Sequence, residues 1–201
     1  MAAPDAKFEH LSPTPVCGVD EVGRGPWAGP VVAAAVILDL ETAPTGLNDS
    51  KKLTARRREI LFEALQSHSI GVGMASVAEI DEINILNASH LAMRRAVEAL
   101  PVRPAHALID GNRIPVGLPC AAECLVKGDQ RSVSIAAASI IAKVTRDRLM
   151  AELAKAHPGY GWETNAGYGV KAHSEALKRL GVTQHHRRSF KPIHNMLCED
   201  F

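Results

Sequence analysis

Short apolar runs of two kinds alternate along the chain. Pro15-Val-Cys-Gly-Val19 and Pro30-Val-Val-Ala-Ala-Ala-Val-Ile-Leu38 are continuous and β-rich, with a Gly- and Pro-rich stretch between them. They predict a strand, a tight turn and a second strand. Ser69-Ile-Gly-Val-Gly-Met-Ala-Ser-Val77 alternates and predicts a third strand; Ala105-His-Ala-Leu-Ile-Asp110 and Cys120 to Val126 predict a fourth and a fifth. Helical spacing fills the intervals. Thr54 is placed to cap a helix through Ile60, Leu61 and Leu65, and apolar residues at 80, 83, 86, 91, 93, 97 and 100 mark a long amphipathic helix ending before Pro101. Ser132 to about His157 predicts another helix, and His173 to Leu180 a short one. Residues 1 to about 14 read as a frayed lead, and the Gly- and aromatic-rich stretch from His157 to Lys171 as an irregular flap. The class is α/β.

A chain of 201 residues with 46% hydrophobic content supports one domain, with room for a small appendage. The net charge is only +1, so affinity for nucleic acid has to come from local clusters. Four cysteines form no Cys-x-x-Cys pair, and Cys17 and Cys120 sit in apolar surroundings, which predicts buried thiols in a reducing compartment. Met1 to Pro15 lacks the basic-then-apolar pattern of a signal peptide, and no apolar run approaches the ~20 residues of a membrane span. A soluble, cytoplasmic monomer is expected.

The chemistry concentrates in Gly18-Val-Asp20-Glu21-Val-Gly23-Arg24-Gly25-Pro26. Neighbouring residues of an extended chain face opposite ways, so one of the two acids faces a central site and the other reaches it around the strand. Acids at the end of a buried strand are costly unless something positive neutralises them. Arg24 between two glycines suits a phosphate. Gly23-x-Gly25-x-x-Ala28 also fits a loose dinucleotide fingerprint, but that needs a helix directly after the glycines, and a P-loop needs Lys and Ser or Thr where Arg24 and Gly25 stand. Asp110-Gly111-Asn112 ends a buried strand, where α/β sheets place sites, although Asp-Gly is also an ordinary turn. In Ser134-Ile-Ala-Ala-Ala-Ser-Ile-Ile-Ala142 small side chains allow a helix close approach, and Ala136, Ser139, Lys143 and Asp147 share one face. Asp147 either reaches the acid site or pairs with Arg146 or Arg148 in solvent. The run Lys51, Lys52, Arg56, Arg57, Arg58 is a solvated helix face or a phosphate track. His185-His-Arg187-Arg188-Ser-Phe-Lys-Pro192 is a basic cluster of the kind that meets phosphates. No histidine is given a catalytic role.

Taken in order, these strings resemble bacterial ribonuclease HII, the type 2 ribonuclease H family. The likeness includes Leu47-Asn-Asp-Ser-Lys-Lys-Leu53, Lys127-Gly-Asp129, Ala142-Lys-Val-Thr-Arg-Asp147, Gly167-Tyr168 and His186-Arg-Arg-Ser-Phe190, and spans about residues 16 to 192. The resemblance implies a ribonuclease H-like fold: a mixed five-stranded sheet flanked by helices (1–157), with a small helical C-terminal region for substrate binding (158–201). It implies four metal-binding, catalytic carboxylates at Asp20, Glu21, Asp110 and Asp147, holding two Mg²⁺ or Mn²⁺ ions. It also implies a junction-sensing turn at Gly23, Arg24 and Gly25, a ribose-reading Tyr168, and substrate contacts from Lys51, Lys127, Ser139, Lys143, Arg187 and Arg188. The activity implied is hydrolysis at ribonucleotides in RNA–DNA hybrids or embedded singly in duplex DNA, 5′ of the ribonucleotide, leaving 3′-hydroxyl and 5′-phosphate ends. Thr164-Asn165-Ala166 departs from the more basic His-Lys run expected of relatives there. Sister ribonuclease HIII proteins differ at the Gly-Arg-Gly turn and add an N-terminal domain. The competing readings are another ribonuclease H-fold nuclease, resolvase-like, and a non-catalytic nucleic-acid-binding module using Arg187 and Arg188.

Overall fold

The computed structural model describes residues 3–199. Its centre is a five-stranded sheet: β1 (Val16–Val22), β2 (Val31–Ile37), β3 (Ser69–Ala75), β4 (His106–Asp110) and β5 (Ala121–Leu125), in the order β3-β2-β1-β4-β5. β1, β2 and β3 pair antiparallel, whereas β4 and β5 add in parallel. β1 turns back directly into β2, β2 returns to β3 through the helix Ala55–Leu65, and β3 crosses to β4 through the helix Val77–Glu98, so antiparallel and parallel pairs share one sheet.

Helices cover both faces. On one side α3 (Val77–Glu98) buries Ala88, Ala92, Met93, Ala96 and Val97 against Cys17, Val19, Ala33 and Ile109. On the other side α4 (Val133–Ala156) and α2 (Ala55–Leu65) pack on Ala34 and Val36. The small residues of α4 do what their size suggests. Gly18 faces them, and a methyl group there would sit 2.1 Å from the Ser134 carbonyl carbon, so helix and strand backbones touch almost directly.

Caps appear where the sequence places them. The Thr54 hydroxyl accepts the Arg57 amide, and Ser76 and Glu79 form a reciprocal capping box on α3. The long helix is not continuous, however. Asn84 takes φ 66° and ψ 163°, a strained conformation for a side-chain-bearing residue, and its Oδ1 re-caps the chain by accepting the Leu86 and Asn87 amides. Apolar periodicity carries across such a break unchanged, so the pattern alone does not reveal it.

The N-terminal segment is a correction. It is no frayed lead: α1 (Lys7–Leu11) docks on the sheet, and the buried Glu9 accepts the Ser132 hydroxyl and the Ser134 amide and hydroxyl. Five residues are too few to print a helical period. The connection between β1 and β2, residues 23–30, is a broad excursion rather than a tight turn. Beyond α4 come α5 (Trp162–Asn165), α6 (Lys171–Leu180) and α7 (Lys191–Glu199). Trp162, Tyr160, Leu177 and Ile193 share a core with Met150, Ala154 and Ala28, so the flap is packed and this region has no core separate from α4. Met1, Ala2, Asp200 and Phe201, counted within the ranges expected above, lie outside the described residues. Among the described residues no helix is long and apolar enough to cross a membrane. Cys17 is buried, as expected, but Cys120 is only half-buried; both are free thiols.

Candidate active site

Strand register decides which acids meet. β1 and β4 run parallel with Val19 beside Ile109, so the next residues, Asp20 and Asp110, stand at adjoining strand ends. Alternation then separates Asp20 from Glu21. Asp20 faces the α4 layer, where the Ser139 hydroxyl lies against it. Glu21 faces the α3 layer and a cleft of about 100 Å³ lined with Asp110, Arg24, His90, Asn112 and Arg113.

Two more acids close the group. Asp49 precedes a 3₁₀ turn, Ser50–Lys52, and its side chain accepts the Lys51 amide at 2.9 Å. Asp129 lies in a second such turn, Gly128–Gln130, directly after β5. Both are buried. The Gly128 amide donates to Asp110 Oδ1 at 2.6 Å, which ties this turn to the end of β4. Ser139 Oγ donates to Ser50 Oγ at 2.8 Å and holds the other turn against α4.

The charges are poorly neutralised. Burial, then Glu21 and Asp110, push Asp20 well above the usual carboxylate range. Glu21 is raised by burial, with Arg24 pulling back from 3.3 Å and Asp110 adding to the rise. Asp110 is raised by burial despite the amides of Gly128 and Asp129. Asp129 is pushed up to about 6 by burial, Asp49 and Asp110. Burial works against the Lys51 ammonium, but Asp49, Asp20, Asp129 and Asp110 outweigh it and raise its pKa. This donor set is all oxygen, crowded and short of cations, which suits a hard divalent ion. Among the described residues no three His, Cys, Asp or Glu side chains stand spaced around one point. The acids diverge to separate donors: Asp20 to the Glu21 amide at 2.7 Å, Asp110 to Gly128, Glu21 to Arg24.

Asp147 stands apart from these contacts. Its Oδ1 accepts from Lys143 Nζ at 2.7 Å, and it stands half-exposed on α4. Eight residues beyond Ser139 is about 12 Å along a helix axis, too far for a short side chain to join the others. Lys143 is thereby engaged with Asp147. Arg187 is a correction. It is fully buried and donates to the carbonyls of Gly23, Arg24 and Gly29, so it does not face a phosphate. Desolvation of a guanidinium is tolerated here because carbonyl oxygens take its donors. Arg188 is exposed, its amide held by Asp81 at 3.0 Å. Lys127 is exposed, in a left-handed conformation at the start of the Asp129 turn.

Gly23, Arg24 and Gly25 and the Tyr168 loop come together. A methyl group on Gly25 would meet the Tyr168 ring at 3.5 Å, and the Trp27 amide donates to the Gly167 carbonyl at 2.8 Å. Tyr168 is 44% exposed, while its carbonyl is held by His173 Nδ1 at 2.9 Å. Sequence reasoning missed Asp49 and Asp129 as members of the acid group, His90 and Arg113 around it, and Arg146 behind the Gly23–Gly25 turn. Asp129 was within reach: it follows a strand and a glycine as Asp110 precedes one. Nothing in the helical pattern distinguishes His90.

A five-stranded sheet in this order, with acids at the ends of its central parallel pair, defines a ribonuclease H-like fold. The ribonuclease HII family model matches residues 17–193. A ribonuclease HII of Ruegeria pomeroyi is 64% identical over 100% of this chain and 88% of its own length, and one of Jannaschia sp. is 61% identical over 97% and 98%. Ribonuclease H2 of Pyrococcus horikoshii superposes with a TM-score of 0.76 at 27% identity, covering 92% of this chain and 97% of that one. Ribonuclease HII of Archaeoglobus fulgidus, solved in complex with PCNA, gives 0.71 at 28%, covering 88% and 95%. The chain belongs to the ribonuclease HII family and is a hydrolase, an endoribonuclease. The resolvase-like and non-catalytic readings fall away.

Proposed function

We propose that the protein is a divalent-metal-dependent endonuclease. It cleaves at ribonucleotides within RNA–DNA hybrids and at single ribonucleotides in duplex DNA, on the 5′ side, leaving 3′-hydroxyl and 5′-phosphate ends. The observation that carries this is the cluster Asp20, Glu21, Asp110 and Asp129 at the carboxyl edge of the sheet, beside a turn and a tyrosine that meet each other. Those four carboxylates would hold Mg²⁺ or Mn²⁺, with Asp129 in the place first given to Asp147 and Asp49 behind it. Divalent ions held there would supply an activated water and charge stabilisation for the departing 3′-oxygen.

The chain's own groups do the rest. Arg24 and Lys51 are exposed cations at the rim of the acids and take the phosphates flanking the cut. Lys127 and Arg188 are exposed cations and extend that contact. The Gly23–Gly25 backbone lets the duplex approach closely. Tyr168 presents its ring to the ribose and its hydroxyl to the 2′-oxygen, the atom that separates RNA from DNA. Trp27 fixes the distance between turn and tyrosine. The protein works as a monomer in the cytoplasm.

The test is a duplex bearing one ribonucleotide beside an all-DNA duplex, each with Mg²⁺, Mn²⁺ or chelator. A single cut in the first substrate alone, lost with chelator, is expected. Cleavage of the DNA control, or activity in chelator, would sink the reading.

A further inference from the structure

Among the described residues two arginines are fully buried, Arg146 and Arg187, and neither has a carboxylate within ion-pair distance. Arg146, on α4, donates from Nε to the Pro30 carbonyl at 3.0 Å, and from its two terminal nitrogens to Ala166 at 2.9 Å and Ala28 at 3.1 Å. Arg187 donates to Gly29 at 2.9 Å, Arg24 at 2.9 Å and Gly23 at 2.6 Å. All six acceptors are main-chain carbonyls. Five belong to residues 23–30, the excursion that carries the Gly-Arg-Gly turn, and the sixth to the loop that carries Tyr168.

The local backbone is shaped around them. Gly23 has φ 95°, and a methyl group on it would lie 2.2 Å from Arg146 Nε. The main chain adds its own ties: Gly29 donates to the His185 carbonyl at 2.9 Å and the Arg187 amide to Trp27 at 2.8 Å, joining the excursion to the 185–188 segment, while the Trp27 amide donates to the Gly167 carbonyl at 2.8 Å and joins it to the Tyr168 loop. Burying cations this way is costly. Desolvation, then the charge of Arg146 on Arg187, lowers them to about 10 and about 9, still protonated at neutral pH. Apolar side chains of similar volume would hold two surface segments together with less loss of stability. What they lack is direction: a planar fork aims several donors at fixed carbonyls, which lysine's single ammonium does not match.

We propose that Arg146 and Arg187 are positioning residues for ribonucleotide recognition, Arg146 tying the Gly23–Pro30 turn to the Tyr168 loop and Arg187 bracing that turn from the 185–188 segment, so that turn and tyrosine read the substrate as one rigid body. This rests on the reading of turn and tyrosine given above. A misplacement of the turn matters most where a single 2′-hydroxyl must be found. A continuous RNA strand offers one at every step, so a shifted turn still meets a ribose.

Arg187→Lys and Arg146→Lys keep the charge and lose the fork. In the Mn²⁺-loaded enzyme, kcat/KM on the single-ribonucleotide duplex should fall by about a hundredfold, and on a continuous RNA–DNA hybrid by less than about tenfold. The ratio of the two substrates on one preparation is independent of how much enzyme is folded, so a merely structural role leaves it unchanged, and that result overturns the proposal. Failure of both variants to fold also overturns it, because it assigns the pair to the fold alone. Should the unaltered enzyme cleave the all-DNA duplex equally well, the function proposed above fails instead. The clamp is then judged by hydrogen exchange at the Trp27 and Gly29 amides: faster exchange in the variants upholds it, and unchanged exchange overturns it.

Discussion

The carboxylates around Asp110 and the guanidiniums of Arg146 and Arg187 are both buried charges, and the fold treats them in opposite ways. Each guanidinium has three carbonyl partners within 3.1 Å and is satisfied where it stands. The acids raise one another and turn to separate donors, and the pull of Arg24 and Lys51 does not offset their burial. One region is complete without a ligand; the other is left wanting a cation. Chemistry belongs where charge is unsatisfied, and geometric reading belongs where it is fixed.

The sharpest way to break that contrast is to neutralise an acid. Asp110→Asn or Asp129→Asn should lower cleavage by more than about a thousandfold. The same change should raise the metal-free melting temperature by about 2–4 °C, since it relieves repulsion worth on the order of 1 kcal/mol. A lower melting temperature in calorimetry would show that the acids do not repel. On the reading side, Tyr168→Ala should cost the single-ribonucleotide substrate about 1–3 kcal/mol, or roughly ten- to hundredfold in kcat/KM, with little change in duplex affinity. Equal losses in both would make Tyr168 a structural residue.

Acidity tests the same contrast more gently. Asp129 holds its proton up to about 6 in the folded protein, against roughly 3.9 when unfolded. Between those values the folded state binds more protons, so its contribution favours folding at low pH and fades as pH rises through about 6. Melting curves of metal-free protein should fall across that window, and Asp129→Asn should flatten the slope. The smallest effect is expected at Asp147→Asn. A half-exposed pair of this kind is worth on the order of 1 kcal/mol, so activity should stay within about fivefold of the parent. A loss as large as that of Asp129→Asn would return Asp147 to the metal site.

The sheet was legible because its strands are long enough to show their period, and Asp20, Glu21 and Asp110 sit where strand logic puts them. Asp129 was passed over although it ends a motif as Asp147 does, because a helical face tells which side a residue is on but not how far along it the acids lie. Arg187 was read as solvated from its basic neighbours. Its burial depends on six carbonyl-lined donor positions shared with Arg146, which no local pattern encodes. His90 and the break at Asn84 are invisible for the same reason: both take their meaning from what packs across from them.

Arg187 grips the Gly23 carbonyl across 164 positions of chain. During translation the segment bearing the first acids leaves the ribosome long before the residue that braces the neighbouring turn. A growing polypeptide that has emerged only as far as α4 therefore holds Asp20, Glu21, Asp49, Asp110 and Asp129 but lacks the guanidinium that braces the turn beside them. That brace is among the last parts of the site's surroundings to be made.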